Sequence, residues 1–282
     1  METTHYSPSF RLKGELFEFN SPKIMAIINL TPDSFYDGGV YSDLSKQLFR
    51  IEHSLKDGAD FLDFGAQSTR PGAQRLSEDE ELERLVPVME AALKEFPGMK
   101  ISVDTFYSKV ARAAVERGAV MINDVSAGSI DVKMFETVAE LKIPYVLMHM
   151  QGDPQSMQVA PHYENAPREI FQFLANKIHE LRRLGLADIA IDLGFGFGKS
   201  VEHNYSLLHN LDLFKVLNCP ILVGLSRKSM INKVLKTSAE TALNGTTALH
   251  MLALDKGAHL LRVHDVKEAK ECILLHQQLS NL

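Results

Sequence analysis

The chain has 282 residues, 45% of them apolar and 23% charged, with a formal net charge of −6 and a pI near 6.0. That composition can bury a core, and its mild acidity argues against a nucleic-acid or anionic-membrane surface, since both need basic stripes. Cys219 and Cys272 are the only cysteines and lie far apart, which argues against a disulfide framework or zinc site and leaves small molecules as the expected partners.

The N-terminal METTHYSPSF has no basic segment leading into an apolar one, and no apolar run approaches the ~20 residues of a membrane span, so a cytoplasmic chain is expected. Residues 10–19, FRLKGELFEF, alternate apolar and polar about Gly14 and predict a short β-hairpin. Residues 1–22 thus read as an N-terminal extension and 23–282 as one catalytic domain.

From Lys23 a unit repeats. Short apolar runs predict buried strands at 23–28, 60–64, 100–104, 119–123, 143–149, 188–192, 220–225 and 258–263. Helical spacing follows them, as in Leu44, Leu48, Ile51 and Leu55, in Leu82, Val86, Met89 and Leu93, and in Ile170, Leu174, Ile178 and Leu181. Ser77 and Glu80 have capping-box spacing, and Gly58, Gly118, Gly185 and Gly257 stand where a helix should stop. Eight strand–helix pairs predict an α/β fold, a single-domain (β/α)8 TIM barrel, with a doubly wound open sheet as the alternative.

The segment IDLGFGFGKS, residues 191–200, suggests a phosphate loop. Its register fails, because G-x-x-x-x-G-K-[ST] counted back from Lys199 requires glycine at 193, where Leu193 stands. Nor does Gly194-x-Gly196-x-Gly198 have dinucleotide spacing. What remains is a strand ending in Asp192.

Barrel chemistry gathers at the C-terminal ends of the strands. Those positions carry Asn29, Asp63, Asp104, Asn123 with Asp124, His149, Asp192, the run Ser226-Arg227-Lys228, and Arg262 with His264. Any one such residue has an ordinary reading as a loop or helix cap. Eight together are harder to dismiss, because each unpaired buried polar group costs on the order of 1–3 kcal/mol. Carboxylates, carboxamides and a lysine in one mouth suit a planar heterocycle with an amidine-like edge, which Asp192 can receive with two parallel hydrogen bonds. Arg262 and His264, with Ser68-Thr69-Arg70, suit an anion such as diphosphate near the last strands.

The blocks NLTPDSFYDGG (29–39), DFGAQSTRPGA (63–73), SVDT (102–105), INDVSAG (122–128), LMHMQGDPQSMQ (147–158), DLGFGFGK (192–199), GLSRKSM (224–230) and LRVHDV (261–266) resemble, in order, the signature blocks of the bacterial dihydropteroate synthases. The resemblance spans residues 25–266. It implies a pterin-binding barrel that joins 4-aminobenzoate to the methylene carbon of a dihydropterin diphosphate, giving 7,8-dihydropteroate for folate synthesis. By the same resemblance Asp104, Asn123, Asp192 and Lys228 hold the pterin ring, Asn29 coordinates Mg²⁺ on the diphosphate, and Arg262 and His264 bind its oxygens. Two mobile loops, residues 29–41 with Asp37 and 66–75 with Thr69, Arg70 and Pro71, close over the site. Phe197 and Ser229 line the 4-aminobenzoate pocket, where sulfonamides also bind, and the family is usually a homodimer. The glycines at 194, 196 and 198 let the backbone turn beneath the pterin.

Leu193 replaces the family's usual proline, and Gln67 replaces a common glutamate. Two other readings share the pterin residues: a methyltransferase barrel passing methyl from a folate to a corrinoid, which needs no diphosphate site, and a pterin-binding barrel without catalysis.

Overall fold

The computed structural model describes residues 8–30, 40–67, 75–152, 157 and 161–280. Strands β1 (Ser9–Leu12) and β2 (Glu15–Glu18) pair antiparallel around a turn at Lys13 and Gly14, both with positive φ. This is the hairpin that the alternation about Gly14 predicts.

Eight parallel strands close a barrel in the order β10-β3-β4-β5-β6-β7-β8-β9. They are β3 (Lys23–Asn29), β4 (Phe61–Gly65), β5 (Ile101–Asp104), β6 (Met121–Asp124), β7 (Tyr145–Met148), β8 (Ile189–Asp192), β9 (Ile221–Val223) and β10 (Leu260–Val263). Each falls within or close to a predicted run, and the open-sheet alternative is excluded by closure of β10 onto β3. Around it lie α1 (Val40–Lys56), α2 (Glu78–Glu95), α3 (Ser108–Glu116), α4 (Met134–Leu141), α5 (Ala166–Arg183), α6 (Val201–His209), α7 (Ser229–Leu235), α8 (Leu243–Asp255) and α9 (Val266–Ser280). A 3-10 segment, Leu211–Leu217, leads from α6 into β9.

The punctuation follows the sequence. The four predicted stop glycines have φ between 92° and 110°, a region costly for any residue with a Cβ. Ser77 and Glu80 form the reciprocal capping box at the start of α2. One expectation shifts: α2 buries Glu81, Leu85, Val88, Met89 and Ala92, so the stripe read through Leu82 and Val86 is displaced by a residue. The displacement carries the carboxyl of Glu81 inside, near Thr105, and burial raises its pKa to about 7.

Two cores result from the strand pleat. Outward-facing residues such as Ile24, Leu62, Ile101, Ile122, Leu147, Ile191, Val223 and Leu261 pack under the helices. Inward-facing Met25, Phe61, Met121, Val146, Ala190, Leu222 and Leu260 fill the barrel with the hairpin's Phe10, Leu12 and Phe19. The hairpin thus plugs the barrel's N-terminal end, with Phe17 edge-on to Phe61 at 5.1 Å. The interior below the mouth is filled with side chains, so within the barrel the described residues leave a ligand room at the C-terminal end.

Candidate active site at the barrel mouth

Strand alternation explains why polar groups converge above that apolar layer. Two residues beyond Phe61, Met121, Ala190 and Leu260 on the same face come Asp63, Asn123, Asp192 and Arg262. Two residues beyond Leu222 comes Gly224, where a Cβ would stand 3.6 Å from the Lys228 amine and 3.9 Å from an Asp192 oxygen. Those ordinary contact distances place the Lys228 amine beside Asp192 at the exit of β9.

Asp63, fully buried, accepts hydrogen bonds from the Arg262 Nε at 2.6 Å and the Asn123 Nδ2 at 2.9 Å. A second arm of Arg262 donates to Asp104 at 2.8 Å. Sequence reasoning left Asp63 without a role and aimed Arg262 at an anion; the structure shows its guanidinium also organising two carboxylates. Asn123 commits its amide nitrogen to Asp63.

The electrostatics follow from burial. Asp104 is pushed up to about 7 by desolvation and by neighbouring carboxylates, against the pull of Arg262. Asp192 is raised by burial, opposed by Lys228 and by the Gly194 amide that donates to it at 2.7 Å. Lys228 is lowered to about 8 by burial, with Asp192 resisting.

The glycine segment turns at positive φ at Gly194, Gly196 and Gly198, and it also packs closely on a neighbouring strand exit. Gly194, at φ +67°, lies so close to β7's exit that a Cβ would stand 1.9 Å from the His149 carbonyl oxygen. Gly198 meets the Gln151 carbonyl in the same way, at 2.5 Å. These two glycines fit the loop against the neighbouring strand's exit, while Gly196 lies beside a proposed pterin residue, its Cβ position 3.3 Å from the Lys228 side chain. Lys199, buried, donates to the carbonyl oxygens of Gly194 (2.9 Å), Phe197 (2.9 Å) and His149 (3.2 Å) and lies 3.0 Å from the His149 Nδ1. Burial lowers its pKa and moves that of His149 down to about 3.

Other predicted residues line the rim. Phe197 lies with its ring centroid 4.8 Å from the Lys228 amine, and Lys228 also donates to the Phe195 carbonyl. Ser229 opens α7 beside it, exposed. His264 contacts the Ser226 hydroxyl at 3.0 Å through Nδ1. Asn29 ends β3 with its side chain exposed at the mouth. Asp124 faces away: its carboxylate accepts from the amides of Ser126 and Gly128 and from the Tyr145 hydroxyl, which is the loop-capping role open to any single strand-end aspartate. Asp37, Ser68, Thr69, Arg70 and Pro71 lie outside the described residues.

The two departures are structural. Leu193 is fully buried in the outer core. Gln67 accepts from the Leu76 amide at 2.9 Å, while its buried Nε2 has no partner among the described residues. A cavity of about 700 Å³ lined by Tyr163, Asn165, Phe171 and His203 lies between α5 and α6 and contains no predicted site residue.

Comparison with known proteins agrees with this geometry. The family model described as "Pterin binding enzyme" matches residues 25–264. The dihydropteroate synthase of Haemophilus influenzae is 43% identical over 270 residues, 95% of this chain and 98% of that one. Among solved structures, Xanthomonas albilineans dihydropteroate synthase with 4-aminobenzoic acid superposes with a TM-score of 0.91 at 39% identity, covering 98% of this chain and 100% of that one. The same enzyme in complex with 7,8-dihydropteroate gives 0.87 at 36% identity, covering 98% and 100%. The chain belongs to the pterin binding enzyme family and, within it, to the dihydropteroate synthases, transferases of folate synthesis.

Proposed function

We propose that the mouth of this barrel binds (7,8-dihydropterin-6-yl)methyl diphosphate with its ring on Asp192, Asn123, Asp104 and Lys228 and its diphosphate toward Arg262, His264 and the loop carrying Thr69 and Arg70. The observation that carries the reading is the inward alignment of Asp63, Asn123, Asp192 and Arg262 directly above the packed apolar layer. Asp192, with Lys228 beside it, offers two acceptor oxygens to an amidine edge and a donor to a ring carbonyl. Phe197, Ser229 and Pro71 then bound the 4-aminobenzoate pocket, where sulfonamides compete.

The reaction is a displacement at the methylene carbon. Its C–O bond breaks and the electron pair leaves with diphosphate; the arylamine lone pair forms the new C–N bond, and the surplus amine proton goes to solvent. An arylamine is largely unprotonated at neutral pH, so no dedicated base is needed. The work of the chain is positioning and charge placement. Asp104, with Asp37, favours positive charge developing at the pterin methylene, and Arg262, His264, Arg70 and Thr69 favour negative charge on the leaving group. Closure of the two loops excludes the water that would otherwise trap the carbon as an alcohol.

Asn29 suits the proposed Mg²⁺. Its exposed carboxamide is a single hard oxygen donor, and among the described residues no cluster of three His, Cys, Asp or Glu forms a dedicated metal cage. Mg²⁺ commonly keeps several waters and takes one or two protein ligands plus substrate phosphates. When bound it neutralises charge on the diphosphate. Asp37 and the Thr69–Pro71 loop extend the site by resemblance. A homodimer is supported by exposed Leu252 on α8 and Leu274, Leu275 and Leu279 on the adjoining α9. No helix among the described residues is long and apolar enough to cross a membrane, and two free cysteines suit the proposed cytoplasmic location.

Steady-state kinetics of Asp192→Asn and Arg262→Ala test the site. Both should lose at least about a hundredfold in kcat/KM, in keeping with removal of a buried charged contact. Wild-type kinetics in both would overturn the assignment.

A further inference from the structure

The loop between β8 and α6 carries much of the proposed site yet has little regular structure of its own. Its backbone groups are met one by one: the Gly194 amide by Asp192, the Gly196 amide by the Asn204 side chain at 2.7 Å, the Phe195 carbonyl by Lys228, and the Gly198 carbonyl by the Tyr163 hydroxyl at 3.0 Å. The remaining inward carbonyls, of Gly194 and Phe197, converge with the His149 carbonyl and ring nitrogen on one amine, that of Lys199. Four polar atoms thus surround one amine, which the loop itself tethers in place.

The bonds span two strand exits, since His149 follows β7 and the rest follow β8. They fix the carbonyl of Gly194, next to Phe195, whose own carbonyl receives Lys228, and that of Phe197, whose ring lies against the Lys228 amine. Gly194 has no room for a side chain because the His149 carbonyl and the Lys199 amine already occupy that space.

We propose that Lys199 is a positioning residue for substrate recognition: its amine, caged by His149, Gly194 and Phe197, holds the β8–α6 loop in the shape that seats Lys228 and Phe197. This rests on the reading that Lys228 and Phe197 face the substrates. Lys199 touches neither substrate in that reading and acts only through the loop. A methionine at 199 keeps the chain's bulk and removes the caged amine.

The test is calorimetric titration of the dihydropterin diphosphate, with Mg²⁺, into wild type, Lys199→Met and Lys228→Ala, alongside kinetics well below the melting temperature. Lys199→Met should bind the pterin at least tenfold more weakly and raise KM for both substrates while kcat changes by less than about threefold, a split that a general loss of stability does not produce. Lys199→Ala should recover part of its affinity with n-propylammonium, which supplies the lost carbons and amine, and none with 1-propanol. Wild-type pterin affinity in Lys199→Met beside lost affinity in Lys228→Ala overturns this inference alone. Normal affinity in both overturns the site reading and this inference with it. Should Lys199→Met not fold, His149→Phe, which removes the ring nitrogen from the cage, should weaken pterin binding by a smaller factor; unchanged binding there overturns the proposal.

Discussion

Truncation of Asp63 to alanine tests the polar network beneath the site by removing a residue that is not itself a proposed substrate ligand. In the folded chain Asp63 is inaccessible to solvent and receives one charged donor, the Arg262 Nε at 2.6 Å, and one neutral donor, the Asn123 Nδ2 at 2.9 Å. Losing the charged bond costs about 1.5–3 kcal/mol, and stranding the Asn123 amide adds about 1–3 kcal/mol. Asp104 still holds the other arm of Arg262, at 2.8 Å, so the sum should fall at about 3–5 kcal/mol, the range found when one partner of a buried ion pair is removed. Equilibrium urea unfolding should show a lower midpoint with an unchanged slope. Asp63→Ala combined with Arg262→Met should be less destabilised than the sum of the single variants, because the second change removes the charge the first leaves behind, with a coupling of at least about 1 kcal/mol. A loss under about 1 kcal/mol for Asp63→Ala, or strict additivity, would refute the network.

Three further outcomes follow from the same structure. Glu81 is protonated in the fold below about 7 against an ordinary 4.5, so its stabilisation is complete below pH 4.5 and lost as the pH rises through 7. Glu81→Gln should therefore gain, relative to wild type, up to about 3 kcal/mol between pH 4.5 and pH 8 in urea titrations, and a pH-independent difference would contradict the burial argument. The Lys228 ammonium, with its pKa lowered to about 8, is complete below that value and lost above it, so KM for the pterin substrate should rise through pH 8 to 10, and the rise should vanish in Lys228→Ala. Gly194→Ala must place a Cβ 1.9 Å from the His149 oxygen at positive φ, which should cost at least about 2 kcal/mol in thermal or urea unfolding; near-native stability would show that the two strand exits are not in contact as described.

The barrel was legible because its signals are local: an apolar run, a 3.6-residue stripe and a glycine at φ near 100° recur unit after unit. The polar strand ends were legible as a set, since eight such positions exceed what capping requires. Which neighbour points inward was not, because Asn123 and Asp124 are adjacent and face opposite sides, and only the register of β6 against β7 separates them. The partners of Arg262 were hidden for a different reason: Asp63 and Asp104 lie 199 and 158 residues away and meet it only through barrel closure. Lys199 was read as the tail of a failed phosphate loop. Its ligands are mostly backbone carbonyls, which carry no residue signature, and the one sequence hint was a lysine beside three glycines.

The most direct measurement is product formation. Purified protein with Mg²⁺, the dihydropterin diphosphate and 4-aminobenzoate should release diphosphate and form 7,8-dihydropteroate in equal amounts, and only when both organic substrates are present. Absence of product with both present, or a methyl transfer from a folate to a corrinoid in its place, would contradict it.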